Sequence, residues 1–267
     1  MMVVFWGASR GCGTTSNMTA VASYLALGMN HRGICMQPKA GGGDLEQFFC
    51  PWDKRSVLRE DSTYYALEGM DYLIWQEQHH RLDAAAMKES VVPLLEHRLF
   101  YLPGGSREKP GLYPAQTGEL QWRILNRMEE FAELVFIDVG SERDAFAYSL
   151  LQRADVVVVN FQGEQKELED FFCSQFPCRG RVLYLLANYS SDQVYNCDNL
   201  QRIYRMDRNT ICNIPNNPHY AQACMRGKVE HYMKTCCRTR GNTQRNAQFF
   251  AQLRHVAGLI LEAGAYD

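Results

Sequence analysis

A run of small and polar residues near the amino terminus has the composition of a phosphate-binding loop. In the pattern G-x-x-x-x-G-K-[ST], backbone N–H groups point at phosphate oxygens, the lysine contacts the phosphates and the hydroxyl binds magnesium. The best register in this chain is Ala8-Ser9-Arg10-Gly11-Cys12-Gly13-Thr14-Thr15. Gly11, Gly13 and Thr15 match the pattern, whereas Thr14 stands in place of the lysine. The pattern alone leaves open a nucleotide site that has lost its lysine and a plain glycine-rich turn.

The segments on either side of this loop have the patterns that would position it. Residues 2–7 form a continuous apolar run, which is typical of a buried strand. After the loop, apolar side chains recur on one face of a helix that is predicted to end near Gly33: Met18, Val21, Ala22, Leu25 and Met29. A strand followed by a loop and a helix is the context that phosphate binding requires, because the amino end of a helix favours an anion.

Strand-like and helix-like segments alternate through most of the remaining chain. Further apolar runs predict strands over 33–38, 99–105, 134–140, 155–161, 181–189 and 209–215. Helices are predicted over 115–131, 143–153, 164–176, 195–206, 216–227 and 242–263. The least regular stretch, 40–98, is expected to hold loops and short helices. We therefore predict an α/β fold, a doubly wound and mostly parallel sheet flanked by helices, in one domain that spans residues 1–267.

Four motifs, in order along the chain, resemble those of the ParA/MinD-like ATPases. The loop "SRGCGTTS" (9–16) resembles the family's deviant loop K-G-G-x-G-K-T-T, and "VFIDVGSE" (135–142) resembles its strand-ending carboxylate and switch glycine. "LLANY" (185–189) and "NIPNNPHYAQACMRGK" (213–228) are similar to the two segments that hold the adenine base. The resemblance runs from residue 1 to about residue 262.

The resemblance implies a binding site for ATP and Mg²⁺. Its nucleotide-binding residues would be Gly11, Cys12, Gly13, Thr14, Thr15, Ser16, Asn188 and Pro215. Thr15 and Asp138 would hold Mg²⁺, Asp138 through water, and Gly140 would face the γ-phosphate. Asn188 would contact the adenine edge.

The departures from the family pattern are concentrated on charged groups. The two loop lysines of the family are replaced by Ser9 and Thr14, and the two aspartates of its first switch by Gln37 and Lys39. A lysine about 4 Å from a phosphate charge contributes about 4 kcal/mol at an effective dielectric constant near 20, so its loss weakens binding by up to about a thousandfold. Hydrolysis suffers more, because phosphoryl transfer depends on positioned positive charge. Arg10 and Lys39 are candidate replacement cations, and Asp138 is the third catalytic candidate.

These features predict a degenerate family member that binds ATP weakly and hydrolyses it slowly or not at all. Among relatives it looks most like the Tad-pilus localisation proteins of the TadZ/CpaE type, which implies a homodimeric adaptor for pilus or secretion machinery. Two alternatives remain open: an active ATPase for DNA partitioning or division-site positioning, and a nucleotide-independent interaction protein.

Composition limits the choice of partner and compartment. The net charge of −2 argues against wholesale binding to nucleic acid, although the segment 226–245 carries six Lys or Arg and one Glu and could contact DNA phosphates. The ten cysteines form no C-x-x-C pair, and no apolar run reaches the length of a membrane span. The start of the chain lacks the pattern of a cleavable signal. We expect a reduced, cytoplasmic protein, with recruitment to a cell pole or the inner membrane surface as a further expectation.

The last predicted helix has an apolar face that could pack on the sheet or lie on a membrane. Its members are Phe249, Leu253, Val256 and Ile260. Because the polar face has few lysines, we expect this helix to pack on the sheet rather than to lie on a membrane.

Overall fold

A computed structural model of the chain describes residues 1–38, 44–49, 69–104, 118–174, 176–190, 192–239 and 243–264. Within these ranges, eight strands form one sheet in the order β3-β4-β2-β5-β1-β6-β7-β8. The strands are β1 (Met2–Gly7), β2 (Gly33–Met36), β3 (Val92–Leu95), β4 (Leu99–Leu102), β5 (Leu134–Gly140), β6 (Val156–Phe161), β7 (Arg181–Tyr189) and β8 (Ile211–Pro215). Every neighbouring pair is parallel except β3 and β4.

Helices cover both faces of this sheet. They are α1 (Thr14–Gly28), α2 (Asp44–Phe49), α3 (Gly69–Gln78), α4 (Ala84–Ser90), α5 (Gly118–Phe131), α6 (Ala145–Arg153), α7 (Gln165–Phe172), α8 (Cys197–Tyr204), α9 (Pro218–Met225), α10 (Val229–Thr239) and α11 (Gln244–Gly264). One core lies between the sheet and α3 to α8, and the other between the sheet and α1, α2, α9, α10 and α11. The predicted α/β class, with a doubly wound and mostly parallel sheet, is confirmed.

The central strand β1 fixes the position of the loop that follows it. Its side chains alternate between the two cores, with Val3 and Phe5 on one face and Val4 and Trp6 on the other. All of β1 is buried, between β5 and β6. Since parallel strands end at the same edge of a sheet, the segments after β1, β5 and β6 meet at the point where the strand order reverses.

The structure differs from the sequence-based prediction at the end of α1. This helix ends at Gly28 rather than near Gly33, because Asn30 adopts a left-handed backbone conformation (φ 67°) and Gly33 is already the first residue of β2. The N–H of His31 donates to the carbonyl of Leu25, which closes the end of the helix (3.0 Å).

Two elements were not predicted. The edge strand β3 contains Pro93 and pairs antiparallel with β4 through a tight turn at Glu96 and His97 (φ 47° and 56°). Neither turn residue is the glycine or asparagine that usually marks such a turn. The helix α10 lies within the basic segment 226–245, and its apolar face is short.

The prediction for the last helix is confirmed. All four side chains of its predicted apolar face are buried against the sheet and α1: Phe249, Leu253, Val256 and Ile260. No helix in the described part of the chain is long and apolar enough to cross a membrane.

Candidate functional site

The predicted phosphate loop connects β1 to α1, and its two glycines have a backbone conformation that other residues rarely adopt. Gly11 and Gly13 have φ values of 78° and 76°. Left-handed values at these positions turn the loop over the amino end of α1, where the first N–H groups of the helix have no helical partner and attract an anion. The hydroxyl of Ser16 donates to the carbonyl of Gly13 (2.9 Å) and fixes the end of the loop.

The side chains of Cys12 and Thr14 lie beneath the loop rather than on its outer face. Thr14 is only 7% exposed, and its hydroxyl lies 3.2 Å from the sulfur of Cys12. Burial raises the pKa of the Cys12 thiol, the hydrogen bond with Thr14 acts in the opposite direction, and the charge of Glu167 raises it further. The position of the missing lysine is therefore occupied by a neutral, buried side chain.

The first position of the loop contacts a buried carboxylate that the sequence did not indicate. The hydroxyl of Ser9 donates to Oε1 of Glu167, which is 9% exposed. The other oxygen of this carboxylate accepts from the backbone N–H groups of Gln162 (2.8 Å) and Gly163 (3.1 Å). Where the resemblance implies a lysine, the loop is thus held by an acidic residue of α7.

The carboxylate of Asp138 lies at the centre of the second cluster. Its Oδ1 accepts from the backbone N–H of Gly140 (2.9 Å). Its Oδ2 accepts from the hydroxyl of Thr15 (2.5 Å) and from Nε2 of Gln37 (2.6 Å). Asp138 is 3% exposed and Gln37 is 6% exposed, so this cluster is largely shielded from water. The structure brings together Thr15 and Asp138, the two residues predicted to hold a metal.

The donor set around Asp138 does not fit a magnesium ion in this arrangement. Mg²⁺ takes oxygen ligands, and Thr15 and Asp138 offer a hydroxyl and a carboxylate. The third group is the amide nitrogen of Gln37, which lies 3.4 Å from the Thr15 hydroxyl as well. An amide nitrogen is a donor only and cannot ligate a cation.

A cavity of about 540 Å³ lies beside the amino end of α1. It brings together three of the predicted nucleotide-binding residues, Ser16, Asn188 and Pro215. Asn188 has a left-handed backbone (φ 49°), which asparagine tolerates better than most residues. The cavity wall also includes Tyr220, whose hydroxyl donates to the carbonyl of Ser16 (2.7 Å) and joins α9 to α1.

The structure locates one of the two predicted replacement cations and adds a third cation near the loop. Arg10 is exposed on the loop, and Lys39 lies outside the described residues. The sequence did not indicate Arg143, whose guanidinium donates to the carbonyl of Ala8 (2.8 Å) and lies 5.0 Å from the ring centre of Trp6. Arg143 is therefore a cation fixed at the start of the loop.

Part of the charge of the basic segment 226–245 is offset by acidic neighbours. Lys234 pairs with Glu230 (2.8 Å) and lies 3.6 Å from Glu96, which is also 4.0 Å from Arg238. Glu230 is already counted in the composition of the segment, so Glu96 is the additional negative charge that the fold brings to it, and DNA binding through the segment stays a prediction.

Comparison with known proteins identifies the fold. No protein-family model and no curated protein matches the chain. A ParA family ATPase from Chlorobium tepidum TLS superposes with a TM-score of 0.70 at 13% identity, covering 95% of this chain and 98% of that one. The cell division ATPase MinD of Pyrococcus furiosus gives 0.67 at 12% identity, covering 97% and 98%. The septum site-determining protein MinD of Pyrococcus horikoshii OT3, solved with Mg-ADP, gives 0.66 at 13% identity, covering 99% and 98%.

These similarities extend over almost the whole of each chain. They show that this protein has the fold of the ParA/MinD-type P-loop ATPases. At 13% identity or less, they leave the chemistry of its site to be argued from its own residues.

Proposed function

We propose that this protein binds an adenine nucleotide weakly, hydrolyses it slowly or not at all, and acts as a dimeric localisation or adaptor scaffold. The observation that carries the proposal is the contact between the loop and the cavity. The hydroxyl of Ser16 donates to the carbonyl of Gly13 in the loop, and Ser16 also lines the cavity together with Asn188 and Pro215. The loop offers backbone N–H groups to the phosphates, and the cavity has room for the nucleoside.

Weak hydrolysis follows from the charges around the loop. Phosphoryl transfer needs fixed positive charge at the phosphates. Here Thr14 is neutral and turned beneath the loop, and Ser9 is bound to the carboxylate of Glu167. Arg143 is a fixed cation, but its guanidinium is bound to the carbonyl of Ala8 at the start of the loop. These features favour a binding site over an efficient ATPase.

A protein that binds nucleotide but hydrolyses it slowly can still act as a scaffold, because bound nucleotide can stabilise one conformation or a dimer. MinD of Pyrococcus horikoshii was solved with Mg-ADP, so the same fold holds an adenine nucleotide in that protein. We propose that nucleotide acts in this chain as a structural ligand or slow switch for a homodimer. Pilus machinery of the Tad type, or a secretion system, is the proposed partner class, as for proteins of the TadZ/CpaE type.

A nucleotide-independent adaptor is the second candidate. The hydrogen bonds that Asp138 accepts from Thr15 and Gln37 favour it, because they satisfy this buried carboxylate without any ligand. In that case the dimer would form equally well without nucleotide.

One pair of measurements separates these functions. Purified protein is titrated with ATP by calorimetry to several millimolar, and phosphate release is followed at steady state in parallel. Binding without turnover supports the nucleotide-tuned scaffold, and turnover above background would overturn it in favour of an active ATPase. No heat at any concentration, together with a stable dimer in sedimentation, supports the nucleotide-independent adaptor.

A matched pair of variants tests whether binding uses the cavity. Asn188→Gly removes the side-chain amide and keeps the left-handed backbone, so we expect weaker ATP binding with unchanged stability. Asn209→Ala, at an exposed position away from the cavity, is the control and should bind ATP like the wild type.

A further inference from the structure

The orientation of the Gln37 amide is fixed by hydrogen bonds to both its oxygen and its nitrogen. The backbone N–H of Leu45 donates to Oε1 (3.1 Å), and Nε2 donates to Oδ2 of Asp138 (2.6 Å). The reversed amide would place its NH₂ group against the N–H of Leu45 and its oxygen against a carboxylate. Only one orientation satisfies all the groups, and it points the two amide hydrogens at the cluster of Asp138 and Thr15.

The amide nitrogen makes one of the contacts that a water on a bound cation would make. A magnesium ion on the Thr15 hydroxyl would hold its other oxygens about 3 Å from that hydroxyl, given ligand distances near 2.1 Å in an octahedron. One of those oxygens, a water, would donate to Asp138. Nε2 of Gln37 is 3.4 Å from the Thr15 hydroxyl and 2.6 Å from Oδ2 of Asp138, so it already makes the contact with Asp138 that such a water would make.

The Gln37 amide also disfavours a cation at this site. Its hydrogens carry positive partial charge, and its nitrogen offers no lone pair to a metal. A cation that displaced it would leave the buried Nε2 and the N–H of Leu45 without their partners, which is unfavourable.

We propose that this site takes its adenine nucleotide without a divalent cation, with the Gln37 amide serving Asp138 in place of metal-bound water. The ligand class is a metal-free nucleoside polyphosphate, and the inference rests on the proposed nucleotide binding. Without a metal, the charge on the terminal phosphate is not neutralised during transfer, which agrees with weak hydrolysis.

The first test compares the Kd for ATP in excess MgCl₂ with the Kd in excess EDTA. In the wild type we expect the two values to differ by less than about threefold. The isosteric variant Gln37→Glu replaces the amide nitrogen with an oxygen facing Asp138, and a divalent cation would relieve the repulsion between the two adjacent carboxylates. In that variant MgCl₂ should tighten binding by at least about tenfold. Wild-type protein that binds ATP at least tenfold more tightly with Mg²⁺ would overturn the inference, whatever the behaviour of the variant.

The second test needs no nucleotide. The melting temperature is measured with and without MgCl₂ for the wild type, for Gln37→Glu and for the control Gln165→Glu. Nε2 of Gln165 donates to Glu169 (2.7 Å), the same chemistry at an exposed position. Only Gln37→Glu should be stabilised by Mg²⁺; an equal rise in the wild type contradicts the inference.

The two proposals fail in different ways. If ATP binds under no condition while the melting results are as expected, the proposed nucleotide binding is wrong and the metal-free arrangement of Gln37 and Asp138 still holds. If ATP binds only together with Mg²⁺, the nucleotide proposal holds and the metal-free inference is wrong.

Discussion

The hydroxyl of Ser9 donates a hydrogen bond to the carboxylate of Glu167, which places a buried negative charge beside the predicted phosphate loop. Two backbone N–H groups, from Gln162 and Gly163, hold the same carboxylate in place. Glu167 therefore has two opposing effects: its hydrogen bonds order the loop, and its charge opposes phosphate binding.

The variant Glu167→Gln separates these two effects. The amide keeps an acceptor for the backbone N–H groups, but bonds to neutral groups are weaker, so we expect stability to fall by about 1 kcal/mol. Loss of the negative charge should strengthen ATP binding by roughly three- to tenfold. Urea unfolding and calorimetry measure the two quantities. Glu169→Gln, exposed on the same helix, should change neither; weaker ATP binding in Glu167→Gln would mean that the carboxylate acts only as a support.

Thr14→Lys should restore a cation to the loop. At about 4 Å from a phosphate, this charge contributes up to about 4 kcal/mol, and desolvation offsets part of it. We expect the Kd for ATP to fall by about ten- to a hundredfold. Thr14→Met, of similar length without charge, is the control in calorimetry. An equal gain in both variants would show that packing rather than charge limits binding.

Gly13→Ala tests the backbone geometry of the loop. Because Gly13 has a φ of 76°, a Cβ there is strained by about 1–2 kcal/mol, and we expect a loss of stability of that size with weaker ATP binding. Gly258→Ala is the matched control: it lies within α11 with open space around its Cβ, and should stabilise the protein by up to about 1 kcal/mol. Urea unfolding of both variants measures the two changes in stability. Equal changes would contradict the conclusion that the left-handed backbone of Gly13 requires glycine.

Stability should fall above pH 9, because buried thiols resist ionisation in the folded state. Burial raises the pKa of Cys224 from about 9 to about 11. A raised folded-state pKa gives a contribution that is complete below pH 9 and is lost as the pH rises through 11, since the unfolded chain releases its proton first. The slope for one such thiol is at most about 1.4 kcal/mol per pH unit.

Unfolding by urea between pH 8 and pH 11 measures this slope. Cys224→Ala should make it shallower, whatever its effect on stability at pH 8. Cys173→Ala, at an exposed thiol, should leave the slope as in the wild type. A wild-type stability that stays constant or rises over this range would contradict the linkage argument.

The sequence identified most of the sheet and the position of the loop. Seven strands were predicted from continuous apolar runs, because a strand covered on both faces needs apolar side chains at every position. The edge strand β3 was missed because it is partly exposed and contains Pro93. Helix α10 was missed because its apolar face is short, with Val229, Met233 and Cys236 as its buried side chains, and the segment around it was interpreted from its basic residues.

The site was predicted less completely than the fold. By resemblance, the motifs predict Gly11, Gly13, Thr15, Asp138 and Asn188 as its members. They gave no sign of Glu167, since an acidic residue in an amphipathic helix is usually a solvated one. Gln37 was noted as a departure from the family pattern, without any indication that its amide contacts Asp138.

The sequence by itself determined the residue types: which runs are buried, where glycine permits a left-handed loop, and which positions lack a cation. The tertiary structure decided which of these residues meet. Gln37 and Asp138 are 101 positions apart, and Ser9 and Glu167 are 158 apart. Such contacts depend on the order of the strands, which places the ends of β1, β2, β5 and β6 side by side at one edge of the sheet. No local pattern encodes that order, because it results from packing all the helices on both faces at once.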